Sequence, residues 1–172
     1  GIVGAGGAGF PSHVKAASEV EYVIANGAEC EPLLRVDQQI MARFADRVVA
    51  GLSLLKGATR ARRAVIGLKA KYHDAIHALE PLIERHGIEL AQLGAFYPAG
   101  DEVTLVYEVT GRIVPEAGLP LNVGCVVQNV HTLMWIADAA EGKPVTERFV
   151  TVGGAVGKPV TVPDPIAPPA AA

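Results

Sequence analysis

The stretch Glu21-Tyr22-Val23-Ile24-Ala25-Asn26-Gly27-Ala28-Glu29-Cys30-Glu31-Pro32 decides how the chain is read. Glu21–Ala25 has the apolar, β-branched pattern of a buried strand. The residues after it place an amide and two carboxylates directly at that strand's carboxyl end, where open α/β sheets bind ligands. Carboxylates accept hydrogen bonds from ribose or ribityl hydroxyls, and Asn26 can donate and accept. The same acidic residues also suit the start of the next helix, whose dipole favours negative charge. Both readings stand at this level.

Upstream lies Gly1-Ile2-Val3-Gly4-Ala5-Gly6-Gly7-Ala8-Gly9-Phe10-Pro11, with five glycines in its first nine residues. A backbone so free of Cβ atoms lets successive N–H groups approach a bound group, and such a concavity favours phosphate. Gly4, Gly6 and Gly9 satisfy G-x-G-x-x-G, and Glu29 follows Gly9 by 20 residues, the outline of a dinucleotide fingerprint. That fingerprint needs a preceding strand, and only Gly1-Ile2-Val3 is available. A ligand-free glycine hairpin is the competing reading.

Downstream, helical and strand-like segments alternate, which indicates α/β. A short helix is expected over Ser12–Ala17, and a long one over Asp37–Leu55, where Ile40, Phe44, Val48 and Leu52 share a face. Ala64–Leu68 reads as a second buried strand and Tyr72–His86 as a helix that Pro81 kinks or splits. A strand near Glu89–Leu93, a loop at Tyr97–Glu102 and a helix over Val103–Thr110 follow. Gly111–Gly124 reads as loop. Val126–Asn129 leads into a helix over Val130–Ala140, and Val145–Val152 with Val156–Val162 form a β pair. The expected organisation is one domain over residues 1–144, the start of a small β module over 145–162, and a Pro/Ala-rich tail over 163–172. A chain that begins with its glycine loop under way and ends in such a tail is expected to be a piece of a longer protein.

Tyr97-Pro98-Ala99-Gly100-Asp101-Glu102 sets two carboxylates at a helix start, and Gln128-Asn129 precedes another. Each is either an N-cap or part of a ligand site. His73 and His77 sit one helical turn apart without a third ligand, so no metal site is expected. Trp135 and Met134 read as core. Cys30, inside the acidic stretch, is a packing group or a reactive thiol.

Of the 172 residues, 50% are hydrophobic and 19% charged, with net charge −3. That supports a substantial core and argues against nucleic acid as a partner. Arg60-Ala61-Arg62-Arg63 is the one basic cluster, an anion patch or a solvated turn. Cys30 and Cys125 form no CxxC and no cluster-ligating spacing, which points to a reducing, cytoplasmic-type compartment. No run of 18 apolar residues and no signal peptide is present.

Taken in order, these four segments resemble the flavin subunits that accept hydride from NADH. That family includes the flavin subunit of respiratory complex I, its counterpart in the Rnf electron-transport complex, and the cobalamin reductases of propanediol-utilisation microcompartments. The resemblance runs from Gly1 to about Val152 and is nearest the cobalamin-reductase branch, with the Rnf branch second. It implies a Rossmann-like three-layer sandwich with a mainly parallel sheet, and FMN and NADH as cofactors. Gly4, Gly6, Gly7 and Gly9 would wrap FMN, Lys15 would reach the flavin or its phosphate, and Phe10 would stack on a base or nicotinamide. Asn26 and Glu29 would bind the flavin, and Glu31 would face the dinucleotide. Tyr97, Gly100, Asp101 and Glu102 would line the isoalloxazine, while Gln128, Asn129 and Thr132 would hold the phosphate.

This chain has Ala5 where the complex I pattern has Arg, Ala28 where it has Asp, and Ser18 where it has an aromatic. The cluster-ligating cysteines of the relatives lie in later domains, so iron–sulfur clusters are expected only outside this chain. The implied function is hydride transfer from NADH to FMN, then single electrons to iron–sulfur or cobalamin acceptors through a redox partner protein. The implied location is the cytoplasm or a bacterial microcompartment, and an oligomer is compatible with it. Two other functions compete: a flavin-free scaffold that docks redox partners, and a plain NAD-dependent Rossmann dehydrogenase, which lacks its first strand here. An Rnf-type component of a membrane complex is the variant within the family.

Overall fold

Four parallel strands form the central sheet of the computed structural model, which describes residues 1–31 and 33–166. They are β1 (Tyr22–Asn26), β2 (Arg63–Lys69), β3 (Glu89–Leu93) and β4 (Cys125–Asn129), in the spatial order β3-β2-β1-β4. The order reverses between β1 and β4, so a crevice opens there beyond the strands' carboxyl ends. Register sets Asn26 beside Asn129 and Ala25 beside Gln128 at that point. β1 is apolar on both faces, as a doubly covered strand requires, and Val23, Ile24 and Ala25 are fully buried.

Helices cover both faces. On one, α2 (Val36–Arg43), α3 (Ala45–Ala58), α4 (His73–His86) and α6 (Val130–Ala140) share a core that includes Ile40, Leu52, Ile66, Leu79 and Leu133. On the other, α5 (Glu102–Thr110) and the segment after it close a smaller core around Ile24, Val65, Leu105 and Val127. The three layers match the Rossmann-like sandwich that the sequence implies. A short α1 (Ser12–Ala16) precedes β1, and an antiparallel hairpin of β5 (Glu147–Val152) and β6 (Val160–Pro165) follows α6.

Three elements depart from the sequence expectation. The helix expected over Asp37–Leu55 is two helices, broken at Phe44, whose φ of −129° and ψ of 36° leave the helical region. Its ring packs against Phe149 of β5 at 5.5 Å between centroids. No glycine or proline marks the break; what accompanies it is a contact from 105 residues away in sequence. Pro81 lies inside α4 without splitting it. It sits on the exposed side, where the carbonyl left without a donor is open to solvent, while Ala75 and Leu79 anchor the buried face. β6 runs to Pro165, so the first residues of the expected tail are strand. Residues 167–172 of that tail and Pro32 lie outside the described residues.

The basic cluster lies at the opposite, amino end of the sheet. Arg60 pairs with Glu19, and Arg63 pairs with Glu89 and donates to the Tyr22 hydroxyl at 2.7 Å. This is a solvated turn leading into β2. Among the described residues no helix is long and apolar enough to cross a membrane.

Candidate functional site

A cleft of about 450 Å³ lies over the carboxyl ends of β1 and β4, within the size range of about 300–1,000 Å³ usual for small-molecule sites. The glycine loop, Lys15, Asn26, Gly100–Glu102, residues 119–121 and the whole of β4 line it. Because β4 is the edge strand, its outer backbone groups face the cleft instead of another strand. Lys15 donates from Nζ to the Val127 carbonyl at 2.6 Å and sits 5.3 Å from the centre of the Phe10 ring. Burial pushes the Lys15 ammonium down from its ordinary pKa, and the Glu102 carboxylate pulls it back up.

The glycine loop is not the β1–α2 turn of a dinucleotide fingerprint. It precedes β1, and Val3 makes one antiparallel bridge to Pro11 and no strand of the sheet. Gly4 N donates to Phe10 O at 2.9 Å and Ser12 N to Ile2 O at 3.0 Å, which closes the loop on itself. Thr132, fully buried in α6, accepts from Ala5 N at 2.9 Å and ties the loop to the helix whose N-terminus faces the cleft. Its hydroxyl thus holds the loop.

Asn26 bridges the two sides. Its Nδ2 donates to Gly100 O at 2.8 Å and its Oδ1 accepts from Ala28 N at 3.1 Å. Gly100 is required by close approach: a Cβ there would lie 1.8 Å from the Ala28 carbonyl oxygen. Gly100 N also donates to Cys30 Sγ at 3.0 Å. Asp101 caps α5, accepting from Thr104 N at 2.9 Å, and Asn129 caps α6, accepting from His131 N at 2.9 Å. At both positions the residue that caps the helix also lines the cleft. Gln128 is 1% exposed; its Nε2 donates to Ser12 Oγ at 3.3 Å, while its Oε1 has no partner among the described residues.

Of the residues singled out from the sequence, Gly4, Gly6, Gly9, Phe10, Lys15, Asn26, Gly100, Asp101, Glu102, Gln128 and Asn129 come together around this cleft. Gly7 lies in the same loop, with no described residue within 4 Å of where a Cβ would sit. Glu29, Glu31 and Tyr97 line a neighbouring cavity of about 530 Å³ with Cys30 and Lys69. Burial pushes the Glu29 carboxyl up, and the Asp37 backbone and Lys69 pull it down. Ser18 donates to its own helix at Val14 O and takes no part in the cleft.

Sequence reasoning missed Ser12, which props Gln128, and Asp37, which accepts from Asn129 Nδ2 at 2.9 Å while 9% exposed. Asp37 sits in the first turn of α2, where a helix-dipole role is the ordinary expectation, so no local signal separates it. Among the described residues no group of three or more His, Cys, Asp or Glu side chains is placed to hold a metal ion.

Residues 1–138 match the family described as the Nuo51 FMN-binding domain. The chain is 52% identical over 167 residues to the cobalamin reductase PduS of Citrobacter freundii, covering 96% of this chain and 37% of that protein. It is 42% identical over 168 residues to a component of the proton-translocating ferredoxin:NAD(+) oxidoreductase complex of Clostridium ljungdahlii, covering 94% and 37%. It thus spans little more than a third of these relatives' length. A crystal structure of an air-oxidised NAD+-reducing [NiFe]-hydrogenase superposes with a TM-score of 0.82 at 26% identity, over 95% of this chain and 34% of that one. With its parallel sheet, switch-point cleft and glycine loop in place, the chain belongs to the Nuo51 FMN-binding domain family.

Proposed function

We propose that this cleft holds FMN and that the chain is the flavin-bearing part of an NADH-oxidising oxidoreductase. The observation that carries the reading is Gln128 Oε1, a buried acceptor without a partner among the described residues, in the wall of a cleft at the sheet's switch point. An orphaned buried acceptor is costly unless a ligand supplies a donor, and a flavin nucleotide carries both ribityl hydroxyls and an anionic phosphate. The N-terminus of α6 and the Lys15 ammonium suit that phosphate. The small residues of the glycine loop and Gly100 leave room for a flat ring system beside Phe10. Bound there, the flavin would take a hydride from NADH and release the electrons singly.

The chain's own residues do the positioning. Thr132 fixes the glycine loop over the cleft, and Asn26 clamps Gly100 so that the α5 end cannot drift. Lys15 sets a positive charge at the β4 edge. Glu29, Glu31 and Tyr97, in the adjoining cavity, are suited to the visiting dinucleotide. The greater identity to cobalamin reductase than to the Rnf-type relative favours the cobalamin-reductase branch. We accordingly place the whole protein in the cytoplasm or a bacterial microcompartment, with iron–sulfur or cobalamin acceptors and a redox partner protein beyond this chain.

Anaerobic mixing tests this reading. FMN added to the purified chain should be quenched in a saturable one-to-one titration, and NADH should then bleach the flavin's visible absorption. Saturable FMN binding without bleaching would leave a flavin domain that does not react with NADH. Absence of any flavin binding would favour the scaffold reading.

A further inference from the structure

Asp37 opens α2 with its carboxyl turned inward. It is 9% exposed and takes part in none of the ion pairs among the described residues. Its Oδ2 accepts from Asn129 Nδ2 at 2.9 Å, across 92 residues of chain. The same amide is held from its other end, because Asn129 Oδ1 accepts from His131 N at 2.9 Å. An amide nitrogen has two N–H donors. With one on Asp37 and the oxygen on the helix, the direction of the second is fixed. Asn129 is half-buried, lines the cleft, and caps the 11-residue helix α6 whose N-terminus faces it.

We propose that Asp37 is a positioning residue for the anionic end of the bound nucleotide, acting through Asn129. The inference rests on the FMN reading above. A rotating amide at an N-cap can turn either its oxygen or its N–H groups toward an anion, and the oxygen would repel it. Asp37 removes that freedom, so the remaining N–H and the backbone donors of α6 meet the phosphate together.

The surroundings support a carboxyl that holds the amide without adding a full charge of its own. Burial and then the Glu29 carboxylate push Asp37 up to about 7, with the Asn129 bond pulling it down. The Tyr72 hydroxyl nearby is pushed up to about 12 by burial and by Glu29 and Asp37. The Lys69 ammonium, which acts on Glu29, donates to the Glu29 backbone carbonyl.

The test compares FMN with riboflavin, which lacks the phosphate, by fluorescence titration of the full 172-residue chain. Asp37→Ala is expected to weaken FMN about tenfold, the worth of one good hydrogen bond, and to leave riboflavin within about twofold. Asp37→Asn, which keeps an acceptor oxygen, should retain FMN within about threefold. Should the alanine variant fail to fold, Asp37→Leu fills the same volume without an acceptor and carries the same expectation. Equal losses for both flavins, or no loss for either, would overturn the role. An unmodified chain that binds neither flavin would instead overturn the FMN reading itself.

Discussion

Gly7 carries a φ of +114°, and no described residue lies within 4 Å of the position where its Cβ would sit. What the residue supplies is a backbone conformation, since L side chains avoid that region. Gly6 differs: a Cβ there would meet Asn129 Cβ at 3.6 Å, an ordinary contact. The sequence invites a single explanation for both glycines, close approach to a ligand, and the structure separates them. Gly7→Val forces the loop out of its present path at a strain of about 1–3 kcal/mol. The loop is exposed and packs little, so the melting temperature should move by only a few degrees. FMN affinity should fall at least tenfold in a fluorescence titration, and an unchanged affinity would show that the loop's path does not matter to binding.

At the scale of elements, the β5–β6 hairpin is fastened to the sandwich by α6. His131 Nε2 accepts from Phe149 N at 3.4 Å, and its ring lies 4.4 Å from Trp135 and 5.7 Å from Phe149. Burial, then the Arg148 charge, push His131 down to about 4. The unfolded chain therefore takes up a proton below about pH 6.5 that the folded chain refuses until about pH 4. Stability should fall across that window as the pH drops, by on the order of 3 kcal/mol. His131→Phe should flatten that fall in thermal melts followed at pH 7 and pH 4.5; parallel losses in both proteins would contradict the assignment.

The elements themselves were largely legible. Tyr22–Ala25 and Ala64–Leu68 are short apolar runs of the kind a doubly covered strand carries, and Val130–Ala140 is bounded by its own cap and stop signals. The break at Phe44 and the intact helix through Pro81 were not, because tertiary packing decides both. The same holds within the site. Lys15, Gly100 and Asn129 fall in recognisable segments. Ser12, Asp37 and the loop-holding role of Thr132 depend on contacts across 92 to 127 residues, which no local pattern reports.

For the whole molecule, one topological fact organises the rest. The strand order reverses between β1 and β4, β4 is an edge, and the glycine loop arrives from before β1 to roof the crevice. A cofactor in this cleft would run along a sheet edge toward the α6 N-terminus. The adjoining cavity of Glu29, Glu31 and Tyr97 is where we propose the second nucleotide visits. The most direct test of that arrangement is a crystal structure of the FMN-loaded chain. Flavin density between the glycine loop and the β4 edge, with the phosphate at the start of α6 and near Lys15, is the expected result. Flavin seated in the cavity beside Tyr97, or reversed so that its phosphate lies at Glu102, would contradict it.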